Sequence, residues 1–182
     1  MKDKRNKDFR VIGLDLSLRE TGVYVVNHKS GPVYKDTLRP PKGQIGVIRL
    51  NWIAHMIANK LSIHKPRFVV IEGYSMMSKG RVFNIGELGG VVRLLLFREG
   101  FPFVTIPPCT LKKWATGKGN AGKAEMIAEA ARRGLSPRND NEADAALLAL
   151  LGLECADHGF SGVKGAEIEP PGAVLGPKIA EI

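Results

Sequence analysis

Cysteine is scarce in this 182-residue chain, which contains only Cys109 and Cys155. The two occur in unrelated contexts, with no Cys-x-x-Cys pair or Cys/His cluster, so the sequence favours neither a zinc site nor a disulfide framework and fits a reducing cytoplasm. No apolar stretch is long enough to span a membrane, and the charged N-terminal residues are not followed by the apolar core of a secretory signal. A cytoplasmic protein without membrane association is therefore expected.

Acidic residues are outnumbered by basic ones. The 27 Lys and Arg against 18 Asp and Glu give a net charge of +9. Such an excess indicates a polyanionic partner, most simply nucleic acid, although a basic surface that binds nothing would have the same composition. Residues 1–8 are polar and basic, and they form either an arm that touches phosphates or a solvated terminus. At 44% hydrophobic residues, the rest of the chain can bury the core of one globular domain.

The hydrophobic pattern predicts three short β-strands, then alternating helices and strands, then helices. The predicted strands are residues 9–15, 21–27, 32–38, 67–72 and 101–106, and the predicted helices are residues 45–63, 82–98, 107–114, 124–133 and 141–153. This order predicts an α/β fold: a mixed five-stranded sheet, with a three-strand antiparallel meander plus two parallel strands, flanked by helices. It resembles the RNase H-like fold. The predicted division is a basic arm at 1–8, a nuclease domain at 9–158, and a Gly- and Pro-rich segment at 159–182 that is a tail or an edge wrap.

Three carboxylates occupy unusual places in this pattern. Asp15 ends the first strand, Glu72 ends the most apolar strand, and Asp144 lies a full turn inside an otherwise apolar helix. Taken singly, each has an ordinary explanation as a turn former, an exposed strand end or a helix-terminal acid. Together they can converge, and hard oxygen ligands without cysteine or clustered histidine suit Mg²⁺ or Mn²⁺. Two such ions can activate a water molecule and stabilise the leaving oxygen of a phosphodiester.

Five short motifs, in order and at compatible spacing, resemble those of the RuvC Holliday-junction resolvases. They are Gly13-Leu14-Asp15 followed by Thr21-Gly22, Val69-Val70-Ile71-Glu72, Leu88-Gly89-Gly90-Val91-Val92-Arg93, Lys112 and Lys123 with Gly117 and Gly119 between them, and Asp144-Ala145-Ala146-Leu147. The resemblance covers about residues 9–155. It implies a homodimer that cuts four-way or other branched DNA with Mg²⁺ or Mn²⁺, two ions in each active site.

Most of the expected site residues come from these motifs, and Asp140 is added because it shares a helix face with Asp144. The expected metal ligands are Asp15, Glu72, Asp140 and Asp144, the lysines expected to act with them are Lys112 and Lys123, and the expected DNA contacts are Lys112, Lys113, Lys118, Lys123, Tyr74 and Arg81. The chain departs from the family in three places, and in one of them the central Asp-Pro-Gly-type turn reads Asp15-Leu16-Ser17. Asn141 stands where the family usually has Asp, so either Asp140 or Asn141 completes the metal site. Tyr74 matches the family's aromatic residue at the crossover only if the spacing is relaxed, and it serves equally well as packing.

The glycine-rich segment from Gly117 to Lys123 fits most of a nucleotide-binding P-loop. It fails where the mechanism needs it, because Ala124 replaces the Ser or Thr that holds Mg²⁺ and the preceding stretch looks helical. No small-molecule cofactor is therefore expected, and the segment suits phosphate binding in a nuclease better. Two alternatives stay open: another RNase H-like nuclease acting on RNA/DNA hybrid or linear DNA, and a catalytically inactive DNA-binding relative.

Overall fold

The computed structural model describes residues 8–73 and 82–170, with the main chain alone for residues 82–85. Its elements follow in the order β1 (Arg10–Asp15), β2 (Thr21–Asn27), β3 (Gly31–Leu38), α1 (Gly46–His64), β4 (Phe68–Glu72), α2 (Val82–Arg98), β5 (Phe103–Ile106), α3 (Pro108–Thr116), α4 (Lys123–Arg132), α5 (Asp140–Cys155) and β6 (Glu167–Glu169). Every predicted strand and helix is present, and no boundary differs by more than two residues from the prediction. In the described part of the chain, no helix is both long and apolar enough to cross a membrane.

The strands form one mixed sheet in the order β3-β2-β1-β4-β5-β6. The first three strands are an antiparallel meander, whereas β4 runs parallel to β1 and β5 runs parallel to β4. The mixed sheet with flanking helices is the predicted fold. The carboxyl ends of β1, β3, β4 and β5 consequently lie along the same edge of the sheet, which we call the carboxyl edge.

The prediction of five strands was wrong by one. The sixth strand, β6, pairs antiparallel with β5 and lies in the segment that was predicted to be a tail or an edge wrap. Its three residues, Glu-Ile-Glu, are all exposed and lie in a Gly- and Pro-rich region. Such a short acidic strand carries almost no hydrophobic signal, so only the exposed edge of β5 defines it. The predicted domain boundaries remain predictions.

Two hydrophobic cores lie on opposite faces of the sheet. One contains alternate residues of β1 and β4, including Val11 and Val70, packed against α3, α4 and α5. The other contains the intervening residues, including Ile12 and Val69, packed against α1 and α2. Because side chains of a strand alternate between faces, both strands are buried on both sides and read as continuous apolar runs.

Helix α5 lies unusually close to β1 and β2 because two glycines leave room for it. A Cβ added at Gly13 would lie 1.9 Å from the main-chain oxygen of Ala145, and one added at Gly22 would lie 2.1 Å from that of Asn141. Both distances are far below van der Waals contact, so no other residue fits at either position without displacing the helix. This approach places the first two turns of α5 against the carboxyl edge of the sheet.

Candidate active site

Asp15 and Glu72 end neighbouring parallel strands at the carboxyl edge. Leu14 pairs with Ile71 in the sheet register, so the next residue of each strand lies beside the other. The two carboxyl groups share a hydrogen bond, which requires a proton on one of them. Asp15 is 9% exposed. The sequence predicted this convergence, because the carboxyl ends of adjacent parallel strands meet at one edge.

Both groups hold their protons more tightly than usual. Burial, followed by repulsion from Asp144, raises the pKa of Asp15 to about 7. Burial, followed by repulsion from Asp15 and Asp144, also raises the pKa of Glu72 well above its ordinary value. Desolvation and crowding of like charges both disfavour ionised carboxylates. A concentrated positive charge would relieve both effects at once.

Asp144 projects from α5 toward the same pair. Its Oδ1 atom is buried and has no hydrogen-bond partner. Burial raises the pKa of Asp144 to about 6, while the ammonium group of Lys112 acts in the opposite direction. A buried oxygen without a donor is costly, and such an atom calls for a cation or another donor.

Asp140 is the first residue of α5, and Asn139, not Asp140, caps the helix. The side chain of Asn139 accepts a hydrogen bond from the main-chain N–H of Glu142. The Asp140 carboxylate accepts hydrogen bonds from the main-chain N–H groups of Asp140 and Asn141, and its Oδ2 lies 2.5 Å from Lys123 Nζ. Hydrogen bonding to Lys123 lowers the pKa of Asp140, which is ionised at neutral pH.

Asn141 makes a contact that the sequence did not predict. Its Nδ2 donates a hydrogen bond to Glu20 Oε2 at 3.2 Å, and Glu20 Oε1 accepts another from Arg39 Nε at 2.9 Å. The amide of Asn141 is therefore held by Glu20, which lies in the β1–β2 turn. Glu20 and Asn141 are 121 positions apart, so no local pattern could have revealed the pair.

The predicted lysines differ in their relation to the carboxylates. Lys112 and Lys123 act electrostatically on Asp144, and Lys123 also acts on Asp15. Lys113 is exposed, and Lys118 pairs with Glu125 at 2.9 Å on the surface. The other two predicted DNA contacts, Tyr74 and Arg81, lie outside the described residues.

The donor set fits a divalent ion, although the side chains do not enclose one as they stand. Among residues 8–73 and 82–170, no three carboxylate, imidazole or thiol side chains form a ready coordination cluster. Asp140 is turned toward Lys123, and Asp15 is hydrogen-bonded to Glu72. All four are nevertheless oxygen ligands, and the orphaned Oδ1 of Asp144 lacks the positive partner that Mg²⁺ or Mn²⁺ would provide.

A carboxylate cluster at the carboxyl edge of a mixed meander sheet defines the class of RNase H-like nucleases. The family model for the crossover junction endodeoxyribonuclease RuvC matches residues 11–151. Curated relatives include the RuvC proteins of Synechococcus sp. (strain WH7803), 31% identical over 79% of this chain and 97% of the relative, and of Rhodococcus opacus (strain B4), 31% identical over 78% of this chain and 79% of the relative. The chain belongs to the RuvC family.

Solved structures agree on the fold. The RuvC of Thermus thermophilus aligns with a TM-score of 0.71 and 22% identity over 88% of this chain and 99% of that chain. The same protein in complex with a Holliday junction substrate aligns with a TM-score of 0.68 and 23% identity over 78% of this chain and 91% of that chain. A yeast mitochondrial Holliday junction resolvase, Ydc2, aligns with a TM-score of 0.55 and 14% identity over 76% of this chain and 75% of that chain.

Proposed function

We propose that this chain is a structure-specific endodeoxyribonuclease that hydrolyses phosphodiester bonds in Holliday junctions. The observation that carries the proposal is the convergence of Asp15, Glu72 and Asp144 at one sheet edge, with an unpartnered carboxylate oxygen among them. A DNA-binding module without catalytic activity has no use for three buried acids whose pKa values are all raised, chiefly by burial. The same arrangement in a RuvC family member supports junction cleavage over the two alternatives.

Asp15, Glu72, Asp140 and Asp144 would hold Mg²⁺ or Mn²⁺, and we propose two ions. Bound there, the ions would activate the attacking water and stabilise the leaving oxygen. The chain's own contribution is to gather oxygen ligands on rigid elements, two on strands and two on α5. Helix α5 is held against the strands by the close approaches at Gly13 and Gly22, which keeps the ligand spacing fixed.

The basic residues around the carboxylates would hold the DNA. The cluster alone repels a polyanion, so its negative charge must be offset before a phosphate can approach. We propose that Lys112 and Lys123 do this and hold the scissile phosphate. We propose that Lys113, Lys118, Tyr74 and Arg81 contact the DNA backbone or the junction more peripherally.

A homodimer is the second part of the proposal. A four-way junction has two-fold symmetry, and paired incisions need two active sites related by that symmetry. Helix α2 offers a surface, because Leu94 and Phe97 are 48% and 40% exposed. Sedimentation of the free protein and of its junction complex tests this. A monomer in both states would exclude the dimer, and Leu94→Glu should dissociate it.

One assay separates the candidate functions. The protein is incubated with labelled four-way junction, linear duplex and RNA/DNA hybrid, each with Mg²⁺ and with EDTA. The proposal expects paired incisions in the four-way junction, in Mg²⁺ only. Preferential cutting of hybrid or linear DNA would favour another RNase H-like nuclease, and binding without cutting would favour an inactive relative. Asp15→Asn, Glu72→Gln and Asp144→Asn should each abolish cleavage and keep junction binding, because lysine and arginine carry the affinity.

A further inference from the structure

A cavity of about 290 Å³ opens on the meander side of the carboxyl edge, apart from the carboxylate cluster. Its walls are the β1–β2 turn, the segment between β3 and α1, and the first turn of α1. The residues used below are Arg19, Pro40, Pro41, Lys42, Gln44 and Arg49. None of them was assigned a function from the sequence. We call this cavity the meander pocket.

The meander pocket is strongly basic. Arg19, Lys42 and Arg49 line it, and within residues 8–73 and 82–170 no carboxylate lies within ion-pair distance of any of them. The Nε of Arg49 donates to the main-chain oxygen of Gln44 at 2.7 Å, which fixes the guanidinium at the pocket wall. Three cations on a concave surface without a counter-charge form a site for an anion.

The acid next to Arg19 in the sequence does not cancel this charge. Glu20 follows Arg19 directly, but its carboxylate is already held by Arg39 at 2.9 Å and by the amide of Asn141 at 3.2 Å. Prolines 40 and 41 restrict the backbone of the opposite wall. The cations are therefore carried on a stiff frame, and less conformational entropy is lost when a ligand binds.

The pocket faces the same edge as the active site. Asp15 pairs with Gly22 and Gly22 pairs with Thr37, so β1 ends where β2 begins and β3 ends. Two strand spacings separate β1 from β3, roughly 10 Å across the sheet. Lys123 pairs with Asp140, and Lys112 acts on Asp144, so both lysines lie close to the carboxylates. Cations are thus present both beside the carboxylates and in the meander pocket.

We propose that the meander pocket binds backbone phosphate of the cut DNA strand, a few nucleotides from the scissile bond. This inference rests on the proposed function, because it takes the ligand to be DNA. The pocket and the lysines would then hold one strand at two points, so that the phosphate between them is presented to the carboxylates. Phosphate contacts of this kind set the register of a nucleic acid without reading its sequence.

The test compares two double variants that remove the same charge. Arg19→Gln with Lys42→Gln empties the pocket of its two exposed cations, and Arg49 is left in place because it bonds Gln44. Lys29→Gln with Lys65→Gln is the matched control, since both side chains are exposed and lie at the opposite edge of the sheet. Both are placed in an Asp144→Asn background, so that junction DNA stays intact in Mg²⁺. Binding is followed by fluorescence anisotropy against salt concentration.

The pocket variant should bind the four-way junction roughly five- to tenfold more weakly at a fixed salt concentration, and its salt slope should fall by about one to two, at about 0.9 per lost phosphate contact. The control should stay within about twofold of the parent. Equal affinity and equal salt dependence of the two double variants would overturn the proposal that the meander pocket binds phosphate. Failure of the unsubstituted chain to cut or bind a four-way junction would overturn the proposed function instead. The melting temperature of each double variant is measured to check that it remains folded.

Discussion

Lys123 Nζ lies 2.5 Å from Asp140 Oδ2, and this ion pair joins the first residue of α4 to the first residue of α5. The lysine side chain is 82% exposed and the aspartate side chain 29% exposed. An exposed pair of this kind contributes little to stability. Its position suggests a different role, in which the ammonium group keeps Asp140 ionised beside the carboxylates until a metal ion takes its place.

Asp140→Asn should therefore impair Mg²⁺-dependent cleavage more than Asn141→Ala does. An ionised carboxylate binds a hard divalent ion better than an amide, and the amide nitrogen of Asn141 is already bonded to Glu20. We expect a loss of at least about tenfold in cleavage rate at limiting Mg²⁺ for Asp140→Asn, partly restored at high Mg²⁺. The measurement is the cleavage rate against Mg²⁺ concentration. Full activity of Asp140→Asn together with an inactive Asn141→Ala would assign the ligand to Asn141.

Lys112→Ala and Lys123→Ala should lower the single-turnover cleavage rate more than junction affinity. Both act on the pKa of Asp144, so each removal leaves the carboxylates harder to ionise and moves the pH–rate profile to higher pH. A loss of about 10²-fold or more in rate is expected for groups that hold the scissile phosphate. Lys29→Ala, an exposed lysine at the opposite edge of the sheet, is the control. If the two variants lose only salt-sensitive affinity, Lys112 and Lys123 are general contacts to the DNA backbone.

Much of this arrangement was predictable because it depends on strand ends. Asp15 and Glu72 each close a continuous apolar run, and two parallel strands place their carboxyl ends side by side. Asp144 was predictable as an acid inside an apolar helix. The order of strands followed from turn lengths and the alternation of helices. These signals are local, and each is visible within about ten residues.

The remaining features depend on contacts between distant residues. Glu20 reaches Asn141 across 121 positions, and the meander pocket combines residues of three separate segments. The cap of α5 could not be predicted, because Asn139 and Asp140 are both good capping residues and only the backbone conformation decides between them. Strand β6 was missed because three exposed residues carry no periodicity.

Gly13→Ala and Gly22→Ala should be among the most destabilising small substitutions in the chain. Their Cβ atoms would meet main-chain oxygens of α5 at 1.9 and 2.1 Å, so the helix must move and take Asp144 with it. We expect at least about 3 kcal/mol lost from the free energy of unfolding, and cleavage reduced even where the protein still folds. Gly90→Ala is the control, since its Cβ meets nothing within 4 Å. Urea unfolding measures the difference, and an equal effect at all three positions would contradict the packing argument.

Mg²⁺ should stabilise the protein more at high pH than at low pH. Asp15, with a pKa of about 7, and Asp144, with a pKa of about 6, keep protons in the folded state that the unfolded chain has already released. Wherever the folded state binds more protons, the free energy of unfolding falls as pH rises. For these two groups the fall begins near their ordinary pKa values, around pH 4, and ends just above pH 7.

Bound Mg²⁺ would reverse this loss of stability, because it would neutralise the ionised carboxylates in place of the protons. The increase in melting temperature produced by excess Mg²⁺ should be small near about pH 5.5, should grow through about pH 7 and should level off above it. Comparing samples with and without Mg²⁺ at each pH cancels contributions from groups remote from the site, such as Asp36 and Glu129, whose pKa values are lowered. Asp15→Asn should remove most of the Mg²⁺ effect and raise the metal-free stability by about 1 kcal/mol at pH 8, since a neutral side chain replaces a crowded, buried acid. A Mg²⁺ effect of equal size at both ends of the range would show that the buried carboxylates do not bind the ion.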